Sequence, residues 1–357
     1  MFDFLKELCE IAAPGGYERR VHQVIADRWQ NRVVQSTITP VGNYIARVGG
    51  DGHKLLLVGH GDEIGFTVKH ISEDGFIFFN SGQRQSDKPD LRGSYFNPMG
   101  QKALVVGQNV VLNGVFATLT GHILTPAQRN KTDLDWNDLF VDVFLPSREA
   151  VETQGIKIGD RIVWNPTFTQ HGDYLTGKAM DNRVSLAVMD ALLDRIDPTQ
   201  LKVDLYFGST IQEESGLYGA QSINRQINAS YAIAIDTGLS GDVPGVNPLD
   251  VSTRLGHGPA IIHKDLYSYD VPLTQHIVDR ANSAQIPIQH AAYAIYGTDA
   301  GALIREGVAS SAIVVPTRYT HSPFETIHAS DFNALVDLLL DIVYHPLPFS
   351  ADENPFN

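Results

Sequence analysis

Two histidines and a group of carboxylates, each set in a short run containing glycine or proline, are the residues of this chain best equipped for chemistry. They are His60 and Asp62 in GHGDEIG, Asp181 in GKAMDNR, Glu213 and Glu214 in IQEESG, Asp236 in AIDTG and His321 in RYTHSP. His60, Asp181, Glu214, Asp236 and His321 together make a mixed nitrogen and oxygen donor set. That set suits a pair of zinc- or cobalt-like divalent ions, manganese also being compatible, and one carboxylate can bridge the two. Taken singly, each residue is of a kind common on solvated loops. Five of them at element ends point to a co-catalytic metallohydrolase.

The neighbouring acids have roles that follow from spacing. In His60-Gly61-Asp62, alternate residues of an extended segment face one side, so Asp62 can accept the second ring N–H of a histidine and strengthen it as a donor. Glu213 and Glu214 are adjacent and cannot easily both hold one ion. They can divide the work, Glu214 as ligand and Glu213 as general base toward a water attacking a carbonyl. Two ions ~3.5–4 Å apart would acidify that water and polarise the carbonyl.

These residues need elements to bring them together. Apolar runs at 55–58, 203–207, 231–235 and 312–315 predict buried strands, and four of the five ligands follow the carboxyl end of such a run. In open α/β sheets ligands bind at those ends. Asp181 precedes an amphipathic helix expected over 182–195, where backbone N–H groups favour its charge. A last helix is expected to start with Ser330 as its N-cap. Between about residues 65 and 164 the text changes to short alternating or β-branched runs such as FTVKHI, ALVV and DRIVW. The expected fold is α/β, an open mixed sheet flanked by helices, with an inserted small all-β barrel-like domain. Residues 1–70 and 165–357 would form the catalytic domain and 71–164 the insertion.

Composition excludes several classes. The 357 residues carry 27 basic and 41 acidic side chains, a net charge of -14, which offers no footprint for nucleic acid or an anionic membrane. The longest apolar runs fall far short of the ~20 residues that span a bilayer. The single cysteine, Cys9, leaves no intrachain disulfide and is expected in the core, and the first residues lack the features of a signal peptide. A cytoplasmic location is expected.

From Pro14-Gly15-Gly16-Tyr17-Glu18 through GHGDEIG, KAMDNR, QEESG and AIDTG to GTDAG and PTRYTHSP, the chain resembles the glutamyl aminopeptidase and tetrahedral aminopeptidase family, some of whose members carry the label cellulase. The resemblance covers nearly the whole sequence. It implies a zinc-exopeptidase-like fold and removal of N-terminal residues from short peptides. It also implies one ion held by His60 and Glu214, another by Asp236 and His321, Asp181 bridging both, and Glu213 and Asp62 catalytic. The β insertion would mediate dimers, and dimers would assemble into a hollow tetrahedral dodecamer. Ser215 departs from the pattern, standing where that family usually has an apolar residue such as valine.

A related metallo-deacylase or carboxypeptidase would carry a lid domain between the last acidic ligand and the final histidine. Here 84 residues separate Asp236 from His321, whereas 120 separate His60 from Asp181, so the insertion sits elsewhere. An endoglucanase would need two carboxyl groups facing each other across a glycosidic bond, ~5–10 Å apart, and the adjacent acidic pair here is occupied with metal chemistry. His122, His257, His263, His290 and His328 are read as structural. Gly297 to Gly301 fits either a close backbone approach to substrate or a turn. Arg254, Lys264 and Arg318 are the candidate cations for an acidic substrate side chain.

Overall fold

The computed structural model describes residues 2–81, 100–130 and 135–348. Its frame is an eight-stranded mixed sheet. In spatial order the strands are β1 (Gln35–Ile38), β2 (Tyr44–Gly49), β12 (Asp204–Thr210), β3 (Lys54–His60), β13 (Tyr231–Leu239), β16 (Ala309–Thr317), β14 (Ala260–Lys264) and β15 (Gln289–Ala292). The central strands β12, β3, β13 and β16 run parallel. A parallel strand covered on both faces has no solvent side to alternate with, so β3 reads as the unbroken run Leu55, Leu56, Leu57, Val58, all fully buried.

Helices Asp3–Glu10, Arg19–Trp29, Met180–Leu193, Val271–Ser283 and Ala329–Val343 contribute to the larger core, and Ala220–Ile227 and Asp299–Arg305 to the second. In the first of these helices Phe4, Leu5, Leu8 and Cys9 form the buried stripe, and burial pushes the Cys9 thiol up to about 12. Cys9 is a core residue, as its position on the apolar face implies. The last helix starts two residues earlier than expected: its N-cap is His328 rather than Ser330, and the His328 ring accepts the Ser330 N–H at 3.3 Å while the Ser330 hydroxyl lies 2.7 Å from the same nitrogen. An imidazole acceptor here does what the hydroxyl was expected to do.

The β module is a closed barrel in the order β4 (Phe66–Ile71), β5 (Ile77–Ser81), β8 (Phe140–Asp142), β7 (Val111–Ala117), β6 (Lys102–Val106) and β9 (Arg161–Trp164). It takes in β4, which precedes the expected boundary at 71, because β4 is the closing strand: Phe66 pairs with Ser81 on one side and Ile162 on the other. Its core is aromatic. Phe66 meets Phe79, Phe116, Trp136 and Trp164 edge-on at 4.9–6.1 Å between centroids. Residues 82–99 and 131–134 of the module lie outside those described. A small sheet of β10 (Thr169–His171), β11 (Tyr174–Gly177) and β17 (Glu325–His328) completes the strands described.

Candidate metal centre

The sheet parts at the point where the donors meet. Strand β13 pairs with β3 only as far as Ala234 opposite Val58, while β3 continues along β12 to His60 opposite Thr210. The Ile235 carbonyl, which β3 no longer reaches, accepts instead from the Asn182 side chain at 2.8 Å. Asn182 is thus a wedge between the two strands, and it delivers its neighbour Asp181 between His60 and Asp236. Gly59 has to be glycine, since a Cβ there would overlap the side chain of Ser185 on the same helix. Asp236 is not at a strand end, as the apolar run suggested; β13 extends to Leu239 beside β16.

Two triads of donor atoms result, each drawn together within 4.8 Å: His60, Asp181 and Asp236, and Asp181, Glu214 and His321. All five residues expected as ligands fall in these two groups, and Asp181 belongs to both. The partition differs from the one implied by the resemblance, which joined His60 to Glu214 and Asp236 to His321. The reason is topological. His60 and Asp236 come from adjacent strands of the sheet, whereas Glu214 and His321 come from loops that reach over it. His60 Nε2 is 3.1 Å from Asp181 Oδ1 and 3.8 Å from Asp236 Oδ1. His321 Nε2 is 3.4 Å from both Asp181 Oδ2 and Glu214 Oε1.

The other expected residues fall beside these. Glu213 Oε2 is 3.9 Å from His60 Nε2. Asp62 Oδ1 is 3.4 Å from His60 Nδ1, and its two oxygens also accept the backbone N–H groups of Glu213 at 3.1 Å and Glu214 at 3.3 Å. The hydrogen bonds of Asp62 therefore go to the turn that carries the acidic pair, while its approach to the His60 ring is a 3.4 Å contact. Ser215 lines a small cavity with Gly15, Asp62, Glu214 and Arg161.

Several contributors had little sequence signal. Glu325, almost fully buried, accepts the Asp181 N–H at 3.0 Å and the His321 N–H at 2.7 Å, holding two of the candidate ligands by their backbones. The regular distance from His321 to an acid four residues on was its only trace. Asp299, in GTDAG, is buried and accepts from the Thr210 hydroxyl at 2.6 Å. Gly301 in that segment serves packing, since a Cβ would strike the Tyr267 ring. Glu63 and Lys178, in the two motifs that carry His60 and Asp181, form a buried pair at 2.7 Å, with the Arg183 guanidinium 3.6 Å from Glu63. Those motif residues brace the site. Arg318 is bound by Asp242 and lies over the Tyr174 ring, and Lys264 donates to the Asp265 carbonyl. His122 and Arg254 are exposed, and His122 is outside both triads. His263 and His290 share an N···N contact of 2.8 Å on neighbouring strands.

Charge explains why such a site fits cations. Burial pushes the carboxyls of Glu213, Glu214, Asp236 and Glu325 above their usual range and Asp299 up to about 6. Burial works against both imidazoles, yet the carboxylates around His60 and His321 outweigh it and raise them well above normal. Asp181 is likewise opposed by burial, and hydrogen bonds from His321 and His60 hold it low. Buried negative charge in excess of two imidazoles is what divalent ions neutralise, and the nitrogen and oxygen donors are of the right type.

The M42 glutamyl aminopeptidase family model matches residues 42–338. The protein FrvX of Escherichia coli (strain K12) is 31% identical over 343 residues, covering 94% of this chain and 93% of its own. The crystal structure of a TET aminopeptidase from Thaumarchaeota archaeon SCGC AB-539-E09 superposes with a TM-score of 0.88 at 29% identity, over 96% of each chain. The TET1 peptidase of Pyrococcus horikoshii, described as able to assemble into a tetrahedron or a large octahedral shell, gives 0.84 at 27% identity, over 96% of this chain and 98% of that one. A motif set spread over the chain, a mixed sheet with a closed barrel and a convergent donor cluster agree with these matches: the chain belongs to the M42 glutamyl aminopeptidase family of metal-dependent aminopeptidases.

Proposed function

We propose that this aminopeptidase works with two divalent ions, zinc or cobalt and alternatively manganese, for which His60 with Asp236, Glu214 with His321, and Asp181 shared between the two groups would supply the donors. The observation that carries the reading is the pair of donor triads sharing one carboxylate. When bound, the ions would supply an acidified water and polarise the scissile carbonyl. Glu213 takes the proton from the attacking water and returns it to the leaving amine. Burial pushes its carboxyl well above the usual range, the direction that suits a general base. Asp62 keeps Glu213 aimed by accepting the N–H groups of both acids. A free α-amine complements the carboxylate-rich floor, so the substrates are short peptides with an unblocked N-terminus.

The alternative metallo-deacylase reading loses ground on topology. The residues between Asp236 and His321 build β14, β15 and helices of the main sheet rather than a lid. Assembly is the second part of the proposal: the barrel packs against its counterpart in another copy, and such dimers form a hollow tetrahedral dodecamer with the sites facing its interior. The shell-forming P. horikoshii relative supports this. Among the described residues no helix is long and apolar enough to cross a membrane, and one cysteine suits a reducing compartment, so a cytoplasmic setting goes with the reading.

The test is a panel of aminoacyl chromogenic substrates and their N-acetylated forms, assayed after metal stripping and re-addition of each ion. Free-amine substrates are expected to turn over, acetylated ones to fail, and activity to return as two equivalents of metal bind. Equal cleavage of blocked and free peptides would sink the exopeptidase reading.

A further inference from the structure

The turn after β12 carries both Glu213 and Glu214, and its backbone is tied down in an unusual way. Four successive N–H groups donate to side-chain oxygens from distant parts of the chain. Ile211 donates to Asn43 at 3.1 Å, Gln212 to Glu18 at 3.0 Å, and Glu213 and Glu214 to Asp62 at 3.1 and 3.3 Å. Gln212 has φ +49, so the chain reverses at the residue that Glu18 holds. Left-handed backbone at a non-glycine residue persists only where its surroundings determine it. Glu18 is 3% exposed, and the same Oε1 also accepts the Gly16 N–H at 2.9 Å. Its own loop is anchored on the barrel: the Tyr17 hydroxyl donates to Asp160 at 3.0 Å, and Arg161 donates to the Gly15 carbonyl at 3.4 Å.

We propose that Glu18 is a positioning residue for the reaction. Its carboxylate oxygen locks the reversed backbone at Gln212, thereby aiming Glu213, and the loop at residues 14–18 ties that turn to the β barrel. The inference rests on the role given to Glu213 above. Glu18 touches neither substrate nor ion; it acts through the turn. A buried acceptor that serves two N–H groups has a purely geometric requirement, which an amide oxygen also meets. Side-chain and backbone placement within fractions of an ångström then decides turnover, since a 1 Å displacement can cost roughly 10²-fold.

The experiment compares Glu18→Met, which keeps the length without an acceptor, Glu18→Ala, which leaves space for water, and Glu18→Gln, which restores an oxygen. Hydrogen exchange on the metal-loaded protein, read on peptides covering 211–217, is measured beside steady-state kinetics. Glu18→Met and Glu18→Ala are expected to exchange faster across that turn and to lose about 10-fold or more in kcat, with KM within about threefold. Glu18→Gln is expected to keep most of the protection and most of the rate. If either folded acceptor-less variant retains wild-type exchange and kcat, or if Glu18→Gln is as impaired as Glu18→Met, the proposal is overturned. The exchange measurement needs no substrate, so a wild-type protein without aminopeptidase activity would refute the proposed function while leaving the lock at Gln212 separately decided.

Discussion

Glu213 and Glu214 are neighbours in sequence, yet their side chains go to different places. Glu213 Oε2 lies by His60 and Glu214 Oε1 by His321. Replacement of each by glutamine separates their roles. Glu213→Gln is expected to bind its full complement of metal and lose at least ~10²-fold in kcat, the lower end for a missing general base. Glu214→Gln should give up metal on dialysis and regain part of its activity in excess ion. Metal content and rates on the same samples check this, and the reverse pattern would exchange the two assignments.

The packing of helix Met180–Leu193 on β3 decides how close Asp181 comes to His60. Ser185 sits over Gly59 and donates to the Asn182 carbonyl at 2.6 Å, so the contact between these two elements also sets the wedge at Asn182. Gly59→Ala forces the helix outward. We expect a loss of about 1–3 kcal/mol in stability, typical of overpacking, together with weaker metal binding. Ser185→Gly in the same chain should recover part of both, a coupling that a double-mutant cycle reads directly. Strict additivity of the two substitutions would show that the contact does not set the site.

Buried titratable groups give the whole molecule a pH dependence with opposing parts. Burial depresses His22, whose Nε2 contacts the Ser209 hydroxyl at 2.9 Å, from 6.5 to about 4. Its folded pKa is lower than its unfolded one, so its contribution is complete above pH 6.5 and is lost as pH falls toward 4. The loss is about 3 kcal/mol at the ~1.4 kcal/mol per unit of linkage. Glu18, raised to about 7 by burial and then by Asp62, acts in the other direction, favouring the fold below pH 4.5 and losing that as pH rises through 7. These two contributions oppose each other, and the His22 part is seen by difference. Relative to His22→Gln, the wild type should lose thermal stability as pH is lowered from 7 to 5; parallel midpoints across that range would refute it. Assembly is tested at the same scale by sedimentation. Species larger than a dimer are expected, and a fully active monomer at micromolar concentration would contradict the proposed shell.

The sequence by itself carried the chemistry and the fold class. Candidate ligands survive in text because few side chains can act as metal donors and here they are imidazoles and carboxylates, and strands such as β3 are legible because a strand buried on both faces must be apolar throughout. The pairing of donors was not legible. Which histidine shares a triad with which acid depends on strand order and on where β13 leaves β3, and both are set by long-range pairing. Nor were Glu325 and Glu18, since their work is to accept backbone N–H groups from segments far away in the chain, Glu18 reaching Gln212 and Glu325 reaching Asp181. A side chain's identity is written locally. The donor it will meet is decided only when the sheet, the loops and the barrel have packed.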